Sequence, residues 1–231
     1  MRLHAYIAKA GVCSRRAAEC LVAEGRVSVN GKVTTKLSSI VVDGDRVCCD
    51  GKQVKLLELC YVLLNKPTNC ITTRTDPEGR RTVMQLLPRR YRGHLYPVGR
   101  LDRNTTGLLL LTNDGELAHR LAHPRFMVDK QYLVSLGRPL ATRDRKRLLR
   151  GVKLDDGMAK VDAVKDGVGT GSVYVTLHSG KNRIVRRLFA HLGYRVVGLH
   201  RGGYGPLQLK GLGLGKHRVL EGRELAVLKG L

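Results

Sequence analysis

The stretch GRLDRNTTGLLLLTNDGEL, residues 99–117, decides how the larger part of this chain is expected to fold. Its segment 107–112 is apolar without alternation, which is typical of a strand buried on both faces of a sheet. The turn-forming residues 113–115 and the polar residues after them predict a following helix. Residues 102–106 suit a loop, so Asp102 would stand at the mouth of a buried strand.

Asp102 lies between two arginines, Arg100 and Arg103, in this predicted loop. Partial burial disfavours the ionised carboxylate, whereas a nearby guanidinium favours it. An ionised and weakly hydrated carboxylate is suited to nucleophilic catalysis. The same residues could equally form a structural ion pair that caps a turn, because ordinary ion pairs also perturb carboxylates. The residues alone therefore leave a catalytic and a structural interpretation open.

The composition predicts an anionic partner. The 231 residues include 42 Lys and Arg against 19 Asp and Glu, a formal charge of +23 that repels itself unless a partner offsets it. Nucleic acid is the leading candidate, because neutralising phosphates releases counterions. An anionic membrane is the competitor, but the chain has no run of about 18 apolar residues, no amphipathic anchor and no signal peptide. We therefore expect a cytoplasmic protein without membrane contact.

The cysteines and histidines do not predict a metal site. All six cysteines lie within residues 13–70 and none forms a C-x-x-C pair, which favours reduced, partly buried thiols. His119 and His123 are four residues apart on a predicted helix, as zinc ligands can be, but no third ligand clusters with them. We expect neither a metal nor another cofactor.

Residues 1–55 have the pattern of a small separate unit. Ser14 is a good N-cap, Gly25 a good helix stop, and Asn30-Gly31 a strong hairpin signal. The predicted elements are helices at 2–10 and 15–23, a hairpin at 26–35, a turn and short strand at 41–47, and a linker at 51–59.

Residues 60–231 predict a larger α+β unit. They hold 32 of the 42 basic residues and 13 of the 19 acidic residues. Strands and helices are mixed without a regular βαβ rhythm, which favours an α+β fold over a parallel doubly wound sheet. The predicted elements are strands at 61–64, 107–112, 132–136 and 173–177, helices at 142–149 and 182–192, and a glycine-rich loop at 198–215.

Several motifs resemble one family of RNA-modifying enzymes. The opening stretch closely matches G-R-L-D-x-x-T-x-G-L-L-L-L-T-N-D-G, the catalytic-loop pattern of pseudouridine synthases of the RsuA/RluB type. LLNKP at 63–67, KQYLV at 130–134 and GKNRIVRRLFAHLG at 180–193 follow in that family's order, and residues 1–55 resemble its S4 RNA-binding domain. The resemblance covers essentially the whole chain.

Two further motifs resemble the branch of this family that modifies large-subunit ribosomal RNA. They are TRTDPEGRRTV at 73–83 and GVKLDDG at 151–157. Asn69 departs from the family pattern, which usually has Gly after Lys-Pro, but Asn also tolerates a positive φ and would keep the turn.

The resemblance implies an S4 domain at 1–55 and, at 60–231, a catalytic domain with a mixed, largely antiparallel sheet flanked by helices. It assigns the catalytic carboxylate to Asp102 and the aromatic face that stacks on a flipped base to Tyr132. Arg186 would pair with the carboxylate, Val185 would line the pocket, and Arg100 would help to hold the displaced nucleotide. An aromatic face and an apolar wall are suited to receive a base that has left its stack.

The implied partner is ribosomal RNA, either 23S rRNA or a large-subunit assembly intermediate, bound by a monomer. The expected RNA contacts are Arg2, Ser14, Arg15, Arg16, Lys32, Lys66, Arg103, Lys181, Arg183 and Arg187. A function of another class also fits the charge and the S4 resemblance: a non-catalytic RNA-binding or ribosome-assembly factor. The joint presence of Asp102, Tyr132 and Arg186 is what favours the enzyme, an isomerase that converts uridine to pseudouridine.

Overall fold

A computed structural model describes residues 1–231 and divides into two units, Met1–Leu59 and Cys60–Leu231. In the first unit the predicted helices are confirmed, and Ser14 caps the second one by accepting a hydrogen bond from the Ala17 amide at 3.2 Å. The elements are α1 Leu3–Lys9, α2 Arg15–Ala23, β1 Val27–Val29, β2 Lys32–Val33, β3 Val47–Cys49 and β4 Lys52–Gln53.

The four strands of the first unit form one antiparallel sheet in the order β2-β1-β3-β4. Asn30 and Gly31 both have positive φ, as the predicted hairpin turn requires. The prediction of a linker from residue 51 is wrong at its start, because Asp50-Gly51 form a second positive-φ turn that returns the chain into β4. A core of small and medium apolar residues holds the unit together, namely Leu3, Ile7, Ala18, Val22, Val27, Val41, Val47 and Cys49.

The second unit is built on one nine-stranded sheet. Its strands are β5 Tyr61–Lys66, β6 Tyr96–Pro97, β7 Thr106–Thr112, β8 Lys130–Leu136, β11 Ala163–Asp166, β12 Ser172–Leu177, β13 Val196–Tyr204, β14 Leu207–Gln208 and β15 His217–Val219, with a separate hairpin of β9 Val152–Leu154 and β10 Gly157–Ala159. The main path runs β11-β12-β8-β13-β7-β5-β15, and every neighbouring pair is antiparallel except β13 and β7. The expected α+β fold with a mixed, largely antiparallel sheet is therefore confirmed.

Helices cover this sheet, and the predicted helices at 142–149 and 182–192 are both present. They are α3 Arg89–Arg92, α4 Gly115–Ala122, α5 Thr142–Arg150, α6 Ile184–His191 and α7 Gly222–Lys229, with short 3-10 helices at Val83–Leu86 and Pro124–Phe126. None of the helices has the length and apolar character needed to span a bilayer.

Strand β7 is buried on both faces, as its unbroken apolar run predicts. Leu108 and Leu110 pack in one cluster with Leu117 of α4, while Leu109 and Leu111 pack in another on the opposite face. Each fully buried leucine stabilises the fold by about 1.5–3 kcal/mol. The strand is consequently a firm support for the loop before it.

The prediction of a loop at 198–215 is wrong for residues 198–204 and 207–208 and holds for residues 209–215. Residues 196–204 form β13, which lies between β8 and β7 in the sheet. The glycines that suggested a loop instead allow neighbouring strands to approach closely, because they have no side chain. A side chain on Gly203 would meet the Gln131 side chain at 2.8 Å, and one on Gly107 of β7 would meet the Arg201 carbonyl oxygen at 2.3 Å.

Candidate active site

The loop that carries Asp102 opens onto a pocket of about 130 Å³ in the second unit. Residues from five parts of the chain line it: the loop before β7, the end of α4, strand β8, the start of α6 with the loop before it, and strand β13. The lining residues are Gly99, Arg100, Leu101, Asp102, Thr105, Ala122, Lys130, Tyr132, Ser179, Gly180, Lys181, Arg183, Ile184, Val185, Leu199, Arg201 and Tyr204.

The backbone of the Asp102 loop is held from beneath by Lys66. This side chain is fully buried, and its ammonium lies 2.9–3.1 Å from four carbonyl oxygens, those of Pro67, Asp102, Arg103 and Thr105. Burial lowers the pKa of Lys66 to about 8. The predicted RNA contact of Lys66 is therefore wrong, because the ammonium is enclosed by backbone and no phosphate can reach it.

The same loop is fixed at two further points. The Thr72 hydroxyl donates to the carbonyl of Leu101 at 2.8 Å, and the Arg103 guanidinium donates to the Asn69 side-chain oxygen. Asn69 has a φ of 54°, so the turn expected at this departure from the family pattern is kept. Arg103 is exposed beside the site rather than in it.

Arg186 of α6 lies beside the carboxylate of Asp102, with Nε 4.0 Å from Oδ2. Its other nitrogens donate to the carbonyls of Val196 at 3.2 Å and Asn104 at 3.5 Å. Burial lowers the pKa of Arg186, the neighbouring Arg183 lowers it further, and Asp102 opposes both effects. This guanidinium therefore faces the carboxylate through a loose, half-buried contact, and the carboxylate oxygens of Asp102 accept no hydrogen bond from the protein.

Tyr132 and Val185 stand in the same pocket. Tyr132 lies on β8, is half-buried against two of the apolar clusters, and its hydroxyl makes no hydrogen bond to the protein. Val185 is buried on the first turn of α6, one residue before Arg186. The pocket thus combines an aromatic ring, an apolar wall and a carboxylate.

The remaining predicted residues of this unit lie at different distances from the pocket. Arg100 and Arg183 are exposed on its lining, and Arg183 has a left-handed backbone at the N-cap of α6. Lys181 lines it too and donates to the Asp156 carbonyl at 2.7 Å. Arg187 is outside the lining and pairs with the Asp156 carboxylate.

In the first unit the predicted RNA-contacting residues Arg2, Ser14, Arg15, Arg16 and Lys32 are all exposed. Arg15 and Arg16 open α2 directly after the capping Ser14. Their side chains enter no ion pair. They are free to meet phosphate groups, and an RNA-binding role for them stays a prediction.

Among the lining residues that sequence analysis did not predict are two cations and a tyrosine, Lys130, Arg201 and Tyr204. Lys130 is two positions before Tyr132 on β8, which places both on one face of the strand, and that spacing could have revealed it. Arg201 and Tyr204 lie on β13, in the segment predicted to be a loop. The histidines considered as metal ligands, His119 and His123, stack on each other with ring centroids 4.9 Å apart, and no group of three or more metal-ligating side chains is assembled anywhere in the chain.

Comparison with protein families identifies the class. The RNA pseudouridylate synthase family matches residues 60–191, and the S4 domain matches residues 1–47. This chain belongs to the RNA pseudouridylate synthase family.

Relatives of known name support the same assignment over the full chain. Ribosomal large subunit pseudouridine synthase B of Bacillus subtilis strain 168 is 40% identical over 238 residues, which covers 100% of this chain and 96% of the relative. The protein of that name from Pseudomonas aeruginosa PAO1 is 40% identical over 237 residues, covering 98% of this chain and 61% of the relative. A crystal structure of a pseudouridylate synthase has a TM-score of 0.70 and 29% identity, covering 99% of this chain and 98% of the other.

Proposed function

We propose that this protein isomerises a specific uridine of 23S large-subunit ribosomal RNA to pseudouridine, with Asp102 as its catalytic carboxylate. The observation that carries the proposal is one pocket that holds Asp102, Tyr132 and Val185, with Arg186 4.0 Å from the carboxylate. In this reaction the N1–C1′ bond of the uridine breaks, the uracil turns, and C5 bonds to C1′. Nothing is oxidised or consumed, so we propose no cofactor.

The pocket residues divide this task among them. A uridine must leave its stack to enter so small a pocket, and the ring of Tyr132 and the wall formed by Val185 would receive the base. Arg186 would place a positive charge beside the Asp102 carboxylate, 4.0 Å from Oδ2. Because no protein donor occupies the carboxylate oxygens, they are available to the ribose or the base.

The substrate assignment rests on the charge and on the relatives. The formal charge of +23 favours RNA, and the two named relatives are large-subunit enzymes. In this proposal residues 1–55 act as the S4 RNA-binding domain and residues 60–231 as the catalytic domain. Exposed basic residues on both, including Arg15 and Arg183, would contact phosphates. The protein would act as a monomer in the cytoplasm, where ribosomal RNA is made and assembled.

The test is to incubate the full chain with unmodified transcripts of both ribosomal RNAs and with large-subunit assembly intermediates. Carbodiimide treatment followed by primer extension then maps each pseudouridine as a stop. We expect one protein-dependent stop in large-subunit RNA, and none with Asp102→Asn. Comparing free RNA with the intermediates identifies the form that is modified.

The competing function is a non-catalytic ribosome-assembly factor, which the charge and the S4 domain would serve equally well. Binding of ribosomal RNA by both the parent protein and Asp102→Asn, without any modified position, would favour that function. A modified position in small-subunit RNA alone would agree with the proposed enzymatic activity but contradict the proposed substrate.

A further inference from the structure

Arg201 is a buried guanidinium without a counterion. The residue is 2% exposed, and no carboxylate lies within ion-pairing distance. Its Nε donates to the Leu108 carbonyl at 2.9 Å, but Nη2 is buried and has no hydrogen-bond partner. Buried polar groups in native proteins are almost always paired, and an unpaired buried charge is strongly destabilising. The residue also lines the pocket that Asp102 lines, so a negatively charged partner in that pocket would meet its positive charge.

The fold places this donor beside Asp102. Arg201 pairs with Gly107 in the parallel contact of β13 and β7, and β7 begins four residues after Asp102. Because Gly107 has no side chain, the Arg201 backbone can lie directly against it, and the Arg201 side chain reaches the Leu108 carbonyl of β7. Arg201 and Asp102 consequently line the same pocket, together with Tyr132.

A second buried cation stands next to Arg201. Lys130 also lines the pocket, and its ammonium lies 5.6 Å from the centroid of the Tyr204 ring, over which Arg201 lies at 4.7 Å. Burial and the charge of Arg201 lower the pKa of Lys130 to about 8. The ammonium donates to the carbonyls of Val128 and His178, whereas Arg201 makes a single hydrogen bond to the protein. Together Arg201 and Lys130 make this part of the pocket favourable for negative charge.

We propose that Arg201 is a further catalytic residue, whose guanidinium donates to a carbonyl oxygen of the flipped uracil and stabilises that base when it detaches. The proposal rests on the proposed function. When the N1–C1′ bond breaks with its electron pair on the base, the charge is shared by N1, O2 and O4. C5 then bonds to C1′, the proton on C5 is lost, and N1 gains a proton. A guanidinium aimed at O2 or O4 favours the charged species more than the neutral one.

Arg138 provides a matched control. Its guanidinium lies 4.4 Å over the Tyr194 ring and donates to the Gly193 carbonyl, so it repeats the local contacts of Arg201. It is exposed and does not line the pocket. Replacing each arginine by lysine keeps the charge and removes the guanidinium fork.

The experiment compares Arg201→Lys with Arg138→Lys in single-turnover formation of pseudouridine, with RNA affinity and thermal unfolding measured on the same proteins. Removing one such donor costs about 10²–10³-fold in rate, so we expect at least a 100-fold loss for Arg201→Lys with unchanged RNA affinity. Arg138→Lys should react at the parent rate. A folded Arg201→Lys protein that also reacts at the parent rate overturns the inference and leaves the proposed function standing.

If Arg201→Lys does not fold, the inference can be tested with the parent protein and modified RNA. RNA carrying 2-thiouridine or 4-thiouridine at the modified position replaces one carbonyl oxygen by sulfur, a weaker acceptor. Loss of a charged hydrogen bond predicts a slowing of about tenfold or more for one of the two RNAs. Parent rates on both thio-RNAs that match the rate on uridine overturn the inference. A parent protein that modifies no RNA removes the proposed function and this inference with it.

Discussion

Arg187 binds Asp156 through two hydrogen bonds of 2.9 Å, whereas Arg186, the residue before it on α6, lies 4.0 Å from Asp102. The first pair is a bidentate contact at the surface in which both groups are satisfied. The second is partly withdrawn from water and leaves the carboxylate of Asp102 without a donor. Two adjacent arginines on one helix thus make one closed pair and one open pair. The open pair is the arrangement that a reacting carboxylate needs.

The largest expected difference between the pairs appears when the carboxylate of each is changed to an amide. Asp102→Asn is nearly isosteric but has no anionic oxygen, so we expect normal folding, normal RNA affinity and no detectable pseudouridine. Asp156→Asn should react within about twofold of the parent, because exposed ion pairs contribute little. Carbodiimide mapping checks both proteins. An Asp102→Asn protein that modifies RNA at the parent rate would show that the open pair is not the catalytic one.

The next largest effect comes from removing the two arginines. Arg186→Ala leaves a partly buried carboxylate without its partner, and we expect the rate to fall about 100-fold, less than for a fully buried pair because Asp102 keeps 29% of its side-chain exposure. Arg187→Ala should keep the parent rate at saturating protein. Single-turnover kinetics under saturation separates these rates from any loss of binding. Equal losses of reaction rate in the two variants would show that the two ion pairs do not differ in their importance for catalysis.

A smaller effect is expected at Tyr132, which completes the pocket of the open pair. Its hydroxyl has no partner in the protein, so the ring rather than the oxygen should matter. We expect Tyr132→Phe to react within a few-fold of the parent, and Tyr132→Leu, which loses the aromatic face, to lose about tenfold. Reaction rates of the two variants check this. A larger loss for Tyr132→Phe would assign a direct role to the hydroxyl.

The smallest effect is expected at Arg183, an exposed arginine on the same helix end that belongs to neither pair. Arg183→Ala should weaken RNA binding for all sequences and reduce the slope of log affinity against log salt by about 0.7–0.9, the contribution of one phosphate contact. The rate at saturation should stay close to that of the parent. Filter binding at several salt concentrations measures the slope, and an unchanged slope would remove Arg183 from the RNA contact.

Much of this fold could be predicted because the signals are local. The leucines of β7 and the serine cap of α2 are adjacent to the elements that they specify. β13 was missed because its glycines are typical of a loop. These glycines are needed because strands that are distant in the sequence pack closely against them. Gly203 of β13 and Gln131 of β8, for example, meet across 72 positions.

The site shows the same limit. Spacing alone placed Asp102 at the mouth of β7 but left its role open, and the pairing with Arg186, 84 positions later, was suggested by the family resemblance. Lys66 was among the predicted RNA contacts, and lysine side chains are seldom fully buried in proteins. Three of the four carbonyls that enclose its ammonium belong to residues 36–39 positions away. A local sequence pattern therefore cannot predict this burial.

The parallel contact of β13 with β7 involves only two residue positions, His200 with Thr106 and Arg201 with Gly107. It joins two antiparallel groups of strands, and the later partner follows the earlier one by 94 residues. During synthesis, β5 and β7 can pair long before β13 exists, and closing so long a loop is entropically costly. The pocket is therefore among the last parts of the chain to form. A growing chain that has not yet reached residue 201 carries Asp102 in the loop before β7 but lacks the β13 residues that line its pocket.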